Sequence, residues 1–190
     1  MIFLDPAIDG SDNLYILGKY YPVNDPQFKE DDFSKRLLAI KYRQDSDPDP
    51  QPWKQRNKTR ALLQLFQELD PLFSPDIAIA VVPSHDPAAG ISGIHQLAQA
   101  LARQNRIDAT ECLVRFKKIP KLATGGSRSV ARHLSSIRVE HPEIIKGREI
   151  LLLDDVTTSG NSLVACRLLL LEAGAARVKY MALGRTTHSR

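Results

Sequence analysis

The chain has 190 residues, of which 26 are Lys or Arg and 22 are Asp or Glu, so its formal net charge is +4. A chain of this length can bury a sizeable single core, and we predict one domain with a small appendage. Its apolar runs fall well short of the ~20 residues that span a membrane, and its two isolated cysteines indicate buried thiols in a reducing cytoplasm.

Residues 1–75 differ in character from the rest of the chain. The start, MIFLDPAIDGSD, lacks the basic region that opens a signal peptide. The segment 14–21 is rich in strand-forming residues and predicts a strand or hairpin. Residues 31–43 and 55–69 predict two amphipathic helices, because their apolar side chains recur at helical spacing. The proline-rich run at 45–52 predicts a linker between them.

A strand, a turn and a helix come next. The apolar run 76–82 predicts a buried strand, Pro83, Ser84 and His85 follow it, and residues 90–104 predict a helix. In a doubly wound sheet, ligands bind beyond the carboxyl ends of the strands where the winding reverses, so this turn could flank a crevice. For His85 a surface role and a ligand-facing role are equally supported.

The positive charge is concentrated between residues 103 and 148. This segment holds eleven Lys and Arg against four Asp and Glu, a balance of +7, so the rest of the chain is at −3. It contains a predicted third strand at 111–116, followed by a basic loop at 117–134 whose paired glycines can act as hinges. A solvated surface, a nucleic-acid patch and a polyphosphate site are all compatible with it. Its position directly before residue 149 favours the polyphosphate site, with Lys117 and Arg132 as the first candidates.

The stretch EILLLDDVTTSGNSLVACRLLLLEAGA, at 149–175, predicts a strand, a polar turn and a helix in close succession. Its continuous apolar run is typical of a parallel strand buried on both faces. Asp154 and Asp155 follow at once, and the later apolar positions predict a helix that Gly174 ends. Between them lies a turn of small, mostly hydroxylated residues: Thr157, Thr158, Ser159, Gly160, Asn161 and Ser162.

This order of residues predicts a phosphate site beside a pair of hydrogen-bond acceptors. Backbone N–H groups in such a turn and at a helix N-terminus favour a bound phosphate, and small side chains let it approach. The carboxylates of Asp154 and Asp155 would repel that phosphate, so they must address sugar hydroxyls or a Mg²⁺ ion nearby. A ribose with a 5′-phosphate, and further oxygens near a metal, would satisfy both.

Three alternative kinds of segment fit this stretch less well. An ordinary solvated loop does not require two carboxylates and five Thr, Ser or Asn side chains in this order. A nucleoside-triphosphatase loop needs Gly-Lys before its Ser or Thr, and no lysine lies between Glu149 and Arg177. A receiver domain has its acidic pair near its start, whereas only thirty-five residues come after Asp155.

The stretch resembles the 5-phosphoribosyl-1-diphosphate (PRPP) signature of the type I phosphoribosyltransferases. In that family an apolar strand runs into Asp-Asp-Val, one variable residue, two Thr, Gly, a small residue and Thr. The sequence from Asp154 to Ser162 matches this order, with Ser in place of Thr at Ser159 and Ser162.

Within that superfamily the chain looks most similar to the ComF-like competence phosphoribosyltransferases, over residues 14–184. Tyr20-Tyr21 and Lys41-Tyr42-Arg43 fit their aromatic N-terminal strand and the helix after it, and the later elements come in the same order. Many ComF-like chains carry a four-cysteine zinc cluster at the N-terminus, whereas the first cysteine here is Cys112. The Arg-Gly-Phe-Asn stretch expected before the second helix is replaced by GISGIHQLA.

The resemblance implies an α/β fold with a doubly wound, mainly parallel sheet. It implies a small N-terminal α+β hood-like subdomain at 1–75 and a phosphoribosyltransferase core at 76–190. The chain would bind PRPP with Mg²⁺ and transfer the 5-phosphoribosyl group to an unidentified, usually nitrogenous, acceptor with release of diphosphate. Asp154 and Asp155 would hold the ribose hydroxyls, and residues 157–162 the 5′-phosphate. Mg²⁺ would bind mainly through ligand oxygens, with the two carboxylates as candidate metal ligands. The candidate diphosphate ligands are Pro83, Ser84, His85, Lys117 and Arg132.

A second hypothesis is that the fold binds PRPP or a nucleotide without catalysis, in a regulatory role or in competence and DNA uptake. The basic segment and the altered Arg-Gly-Phe-Asn region motivate it. Nucleic acid is therefore an alternative partner beside PRPP and a small-molecule acceptor. A homodimer is compatible with either hypothesis, and we expect a cytoplasmic protein with no membrane partner.

Overall fold

A computed structural model describes residues 14–44, 47–119 and 129–187, together with the backbone of residues 3–4. The strands are β1 (Phe3–Leu4), β2 (Leu14–Tyr20), β3 (Ala78–Val81), β4 (Ile107–Asp108), β5 (Leu113–Arg115), β6 (Ile137–Val139), β7 (Glu149–Thr157) and β8 (Arg177–Thr186). The helices are α1 (Asp32–Ile40), α2 (Pro52–Leu69), α3 (Gly93–Ala102), α4 (Val130–Leu134), α5 (Pro142–Ile145) and α6 (Asn161–Glu172). Short 3₁₀ turns lie at Pro26–Lys29 and Asp70–Leu72.

Six strands form the central sheet in the order β1-β2-β8-β7-β3-β4. Its neighbouring strands are parallel except for β1 and β2, which are antiparallel. Apolar side chains of β7 alternate between the two cores, with Leu152 on one face of the sheet and Leu153 on the other, and both are fully buried. This double burial explains the unbroken apolar run in the sequence, and the predicted mainly parallel sheet is confirmed.

Helices cover both faces of the sheet, and the winding reverses between β3 and β7. Helices α1, α2 and α3 bury Leu37, Leu65 and Leu97 in the core on one face. Helix α6 buries Leu163 and Leu170 in the core on the other face, where α5 and the β5–β6 pair also pack. The chain therefore crosses from β3 to β4 through α3 on one face, and from β7 to β8 through α6 on the opposite face. This arrangement confirms the predicted doubly wound class.

The N-terminal elements belong to the same sheet and the same core. Strand β2 pairs in parallel with β8, with Gly18 opposite Gly184. A Cβ atom on Gly184 would lie 2.6 Å from Leu37 Cδ1, and one on Gly18 would lie 2.8 Å from Phe33 Cε1. The two glycines therefore allow α1 to pack directly on β2 and β8. The division of the chain near residue 75 stays a prediction, while β2, α1 and α2 share the central sheet and its core.

Several elements differ from the sequence-based expectation. Strand β5 was predicted, but it lies outside the central sheet and pairs antiparallel with β6. Helix α2 begins at Pro52, three residues before the predicted start, because proline is well tolerated in the first helical turn. The predicted basic loop falls partly on residues 120–128, outside the described residues, and its last part forms α4. Residues 45 and 46 of the predicted linker also lie outside the described residues. None of the described helices is both long and apolar enough to cross a membrane.

Candidate functional site

The candidate site lies at the carboxyl ends of β3 and β7, which are adjacent and parallel. Val81 pairs with Leu153, and the Val82 amide donates to the Leu153 carbonyl at 2.9 Å. The turn that begins at Pro83 and the acidic pair that begins at Asp154 therefore leave the sheet side by side. This is also the strand pair at which the winding reverses, where α/β sheets form ligand crevices.

The polar turn between β7 and α6 is held at both ends. Thr157 is buried, and its Oγ1 accepts a hydrogen bond from the Gly160 amide at 3.0 Å. Thr158 Oγ1 donates to Thr186 Oγ1 at 3.1 Å, which ties the turn to the end of β8. Gly160 precedes α6 with φ of 76°, a left-handed conformation that favours glycine. Within the described residues no side chain caps α6, so the turn and first helical residues present a surface suited to an anion.

The two carboxylates of the acidic pair face different helices. Asp154 Oδ2 accepts a hydrogen bond from Ser162 Oγ at 3.2 Å, in the first turn of α6. Asp155 Oδ2 lies 3.4 Å from Lys41 Nζ, in the residue that ends α1. Because α1 and α6 cover opposite faces of the sheet, β7 presents one carboxylate toward each face. The pair is still close, since the Asp155 amide donates to Asp154 Oδ1 at 2.9 Å.

Burial shifts the titration of the first carboxyl group. Burial, and then the neighbouring charge of Asp155, raise the pKa of Asp154 to about 7. Lys41, the Asp155 amide and the Ser162 hydroxyl oppose this shift, because they favour the ionised form. The ionised carboxylate offers more acceptor sites to a ligand hydroxyl than the protonated acid does, so the capacity of Asp154 to accept from such a ligand changes near neutral pH.

Lys41 is a site residue that was not predicted from the sequence. Its ammonium group contacts Asp155 and lies 5.4 Å from the centroid of the Tyr20 ring, at the end of β2. The ends of β2, α1 and β7 thus converge at this lysine. A basic residue at the end of a predicted helix was visible in the sequence, but such residues usually interact with the helix's own last carbonyls. Its contact with Asp155 depends on the packing of α1 against the sheet.

The candidate diphosphate ligands fall into two groups. Pro83, Ser84 and His85 are half-buried in the turn after β3, beside the end of β7. Lys117 follows β5 and Arg132 lies on α4, and both side chains are exposed. The structure thus brings the first group next to Asp154, and places the second group on the two segments that flank residues 120–128.

The residues at the site fit a metal that binds together with a ligand. Across 14–44, 47–119 and 129–187, no group of three or more His, Cys, Asp or Glu side chains is placed to hold a metal ion. Asp154 and Asp155 supply carboxylates at the site, whereas Mg²⁺ requires six oxygen ligands. Water and the oxygens of a phosphorylated ligand would have to complete its coordination, which is the usual arrangement for Mg²⁺ at phosphate sites.

No protein-family model matches this sequence, and no curated protein sequence matches it. Among solved structures, the chain is similar to adenine phosphoribosyltransferase of Leishmania tarentolae, with a TM-score of 0.45, 14% identity and 91% of both chains covered. The adenine phosphoribosyltransferase of Leishmania donovani gives a TM-score of 0.45 and 15% identity over 96% of this chain and 91% of its own. A purine phosphoribosyltransferase of Pyrococcus horikoshii gives a TM-score of 0.37 and 19% identity, with 67% of this chain and 81% of its own chain covered. Similarities at this level do not place the chain in a family.

Proposed function

We propose that this protein binds PRPP together with Mg²⁺ and transfers the 5-phosphoribosyl group to a nitrogenous small-molecule acceptor. The observation that supports this most directly is the pair Asp154 and Asp155, placed immediately before an uncapped turn and helix N-terminus. A ribose 5-phosphate carries hydroxyls and a phosphate on one molecule. The site offers carboxylate acceptors for the hydroxyls and backbone N–H groups for the phosphate.

Each part of the donor has a proposed binding segment. Asp154 and Asp155 accept hydrogen bonds from the ribose hydroxyls, and residues 157–162 bind the 5′-phosphate. The turn 83–85, at the end of the adjacent strand, binds the diphosphate through its backbone, with Lys117 and Arg132 adding positive charge. With the donor bound in this order, the ribose C1 would lie between the acidic pair and the turn after β3.

The proposed reaction is a displacement at C1 of the ribose. The bond from C1 to the diphosphate oxygen breaks, and diphosphate leaves with the electron pair. A bond forms from C1 to the acceptor nitrogen, which then releases its proton to solvent. Bound Mg²⁺ would neutralise charge on the leaving diphosphate. The carboxylates hold the ribose while positive charge develops at C1, and the basic side chains stabilise the departing anion.

The shifted pKa of Asp154 makes donor binding dependent on pH. Ionised Asp154 accepts from a ribose hydroxyl, whereas the protonated acid offers fewer acceptor sites. Since the pKa in the free protein is about 7, PRPP affinity should increase as the pH rises from 6 to 8. A cation or hydroxyl at the site favours the ionised form, so bound ligand should lower the pKa of Asp154.

Calorimetric titration with PRPP, with and without Mg²⁺, tests the binding step. The wild type should bind PRPP, and Asp154→Ala and Asp155→Ala should each weaken binding at least about 10-fold, as expected when a charge-assisted hydrogen bond is lost. Asp49→Ala, which removes an exposed carboxylate from the segment before α2, serves as the matched control. If the wild type shows no binding, or if both site variants bind as it does, the proposal is wrong.

A diphosphate-release screen over purine bases, pyrimidine bases and simple amines tests the transfer step. Release that depends on one acceptor would identify the substrate. Binding of PRPP without release across the whole panel would instead favour the non-catalytic regulatory hypothesis. In that case, DNA binding that weakens steeply with salt would indicate the competence-related role.

A further inference from the structure

Two neighbouring residues at the end of β5 show the reverse of the expected burial. Arg115 is 5% exposed, whereas Phe116 is 49% exposed, with the guanidinium of Arg138 lying 5.8 Å from its ring centroid. Alternation along β5 places Arg115 on the same inward side as the buried Leu113. Burying a guanidinium is costly unless it is well hydrogen-bonded, so the partners of Arg115 indicate why it is there.

The Arg115 guanidinium contacts two separate segments of the candidate site. Its Nε donates to the Ser84 carbonyl, in the turn after β3. Its Nη1 donates to Ser136 Oγ at 2.6 Å, and its Nη2 lies 3.3 Å from His133 Nδ1. His133 belongs to α4 and Ser136 lies just after that helix. One buried side chain therefore joins the candidate diphosphate turn to α4.

Ser136 extends this link to a second candidate diphosphate ligand. Its hydroxyl oxygen lies 2.7 Å from the Arg132 carbonyl oxygen and 3.0 Å from the His133 carbonyl oxygen, so its single proton is shared between these acceptors and is closer to Arg132. Arg132 presents an exposed side chain from α4. Ser84 and Arg132 lie far apart in sequence and were predicted separately, yet a continuous series of hydrogen bonds through Arg115 and Ser136 connects them.

The start of the basic loop, residues 117–119, is attached to the same turn and to the residue that follows it. The Ile119 amide donates to the His85 carbonyl at 3.0 Å, and Lys118 Nζ lies 2.5 Å from Asp86 Oδ2. Lys117, whose side chain is exposed, lies between Arg115 and these two anchored residues. The described parts of the basic loop on both sides of residues 120–128 are thus held against one turn.

We propose that Arg115 is a positioning residue that fixes the turn 83–85 relative to the two described parts of the basic loop, residues 117–119 and 129–134, so that they bind one diphosphate group together. This inference rests on the proposed function, because the group concerned is the leaving group of PRPP. A guanidinium is always charged and holds its donors in a fixed plane, so it can keep two segments at a defined separation. The turn 157–162 is held by a different set of hydrogen bonds, within the turn through Thr157 and to β8 through Thr158. Loss of Arg115 should therefore affect the diphosphate and spare ribose 5-phosphate.

The test compares two ligands on matched variants. Calorimetry measures the binding of inorganic diphosphate and, separately, of ribose 5-phosphate, each with Mg²⁺. The variants are Arg115→Gln, Arg115→Lys and Ser136→Ala, with Arg138→Gln as control. Arg138 lies on β6, opposite Val114 of β5, and its side chain is exposed. Arg138→Gln therefore removes one positive charge, as Arg115→Gln does, without removing a contact to the turn 83–85.

We expect Arg115→Gln to weaken diphosphate binding about 10-fold or more, and Arg115→Lys to weaken it less, because lysine keeps the charge and part of the hydrogen bonding. Ribose 5-phosphate should bind all variants as it binds the wild type, and Arg138→Gln should bind both ligands normally. Equal weakening of both ligands, or no change in either, would overturn this inference and leave the proposed function standing. A wild type that binds neither ligand would overturn the proposed function, and this inference with it.

Hydrogen exchange separates positioning from folding without any ligand. In Arg115→Gln the Ile119 amide should exchange faster, while the Val82 amide, bonded to Leu153 in the central sheet, should stay protected. Unchanged exchange at Ile119 would contradict the inference. Loss of exchange protection across the whole protein in Arg115→Gln would mean that this variant is unfolded. Ser136→Ala keeps the buried guanidinium, so in that case it must weaken diphosphate binding and leave ribose 5-phosphate binding unchanged. If it does not, the inference fails.

Discussion

Asp154→Asn should make the ligand-free protein more stable at neutral and alkaline pH. The pKa of Asp154 in the folded protein is about 7, against an ordinary value of 3.8. Between these two values the folded chain keeps a proton that the unfolded chain has released. The free energy of unfolding therefore falls as the pH rises from about 4 to 7 and stays lower above that, because the ionised group is less favourable in the fold.

The size of this effect can be worked out from the shift in pKa. Each unit corresponds to about 1.4 kcal/mol, so the shift of Asp154 sets an upper value of about 4 kcal/mol at pH 8. Because Asp154 is partly exposed, water reduces the penalty, and we expect about 2 kcal/mol. Asparagine has the same shape, can accept from the Asp155 amide and can donate to Ser162 Oγ. It removes the charge and keeps the local hydrogen bonds.

Urea unfolding of wild type and Asp154→Asn at several pH values between 4 and 9 measures the difference. The two proteins should be equally stable near pH 4, and the variant should become the more stable one as the pH passes 7. Asp32→Asn is a control for which stability should change in the opposite direction. Lys35 lowers the pKa of Asp32, so removal of the Asp32 carboxylate should reduce stability at higher pH. A difference between wild type and Asp154→Asn that does not change with pH would refute the reasoning. Greater stability of the variant with loss of PRPP binding would show that the acidic pair is kept for binding.

Two further predictions concern the end of α1. A Cβ atom on Gly93 would lie 2.0 Å from the Ile40 carbonyl oxygen, so Gly93→Ala should cost about 3 kcal/mol of stability in denaturant unfolding; a variant as stable as the wild type would contradict this contact between α3 and α1. Lys41→Met should raise the pKa of Asp154 above its value of about 7, because the ammonium group favours the ionised carboxylate. An NMR titration of the Asp154 carboxyl carbon measures this, and an unchanged or lowered pKa would show that Lys41 does not act on the pair.

The elements that could be predicted from sequence are those determined by their own residues. The strand, turn and helix at 149–175 were predicted correctly because double burial, turn chemistry and helix spacing each leave a local pattern. Neighbouring positions of the turns at Pro83 and Asp154 could be expected from a general rule for doubly wound sheets. Strands β4 and β6, with two and three residues, carry too little periodicity to be recognised.

The features that could not be predicted depend on contacts between distant segments. Hydropathy predicts that Phe116 is buried and Arg115 exposed, and the structure has the reverse, because Ser84 and Ser136 supply hydrogen bonds to the guanidinium. The pairing of Lys41 with Asp155 likewise requires α1 to lie directly on β2 and β8. Strand β5 was recognised by composition, but nothing local indicates that it pairs with β6 outside the central sheet.

The pairing of β2 with β8 has a consequence for synthesis of the protein. Strand β2 emerges from the ribosome more than 150 residues before its parallel partner, residues 177–186. Until then, β2 and β7 each have an unpaired edge, and β8 must enter between them to complete the sheet. Such long-range pairing slows folding and leaves strand edges open to other chains. The nascent protein should therefore depend on chaperones during translation more than a chain whose sheet is built from successive neighbours.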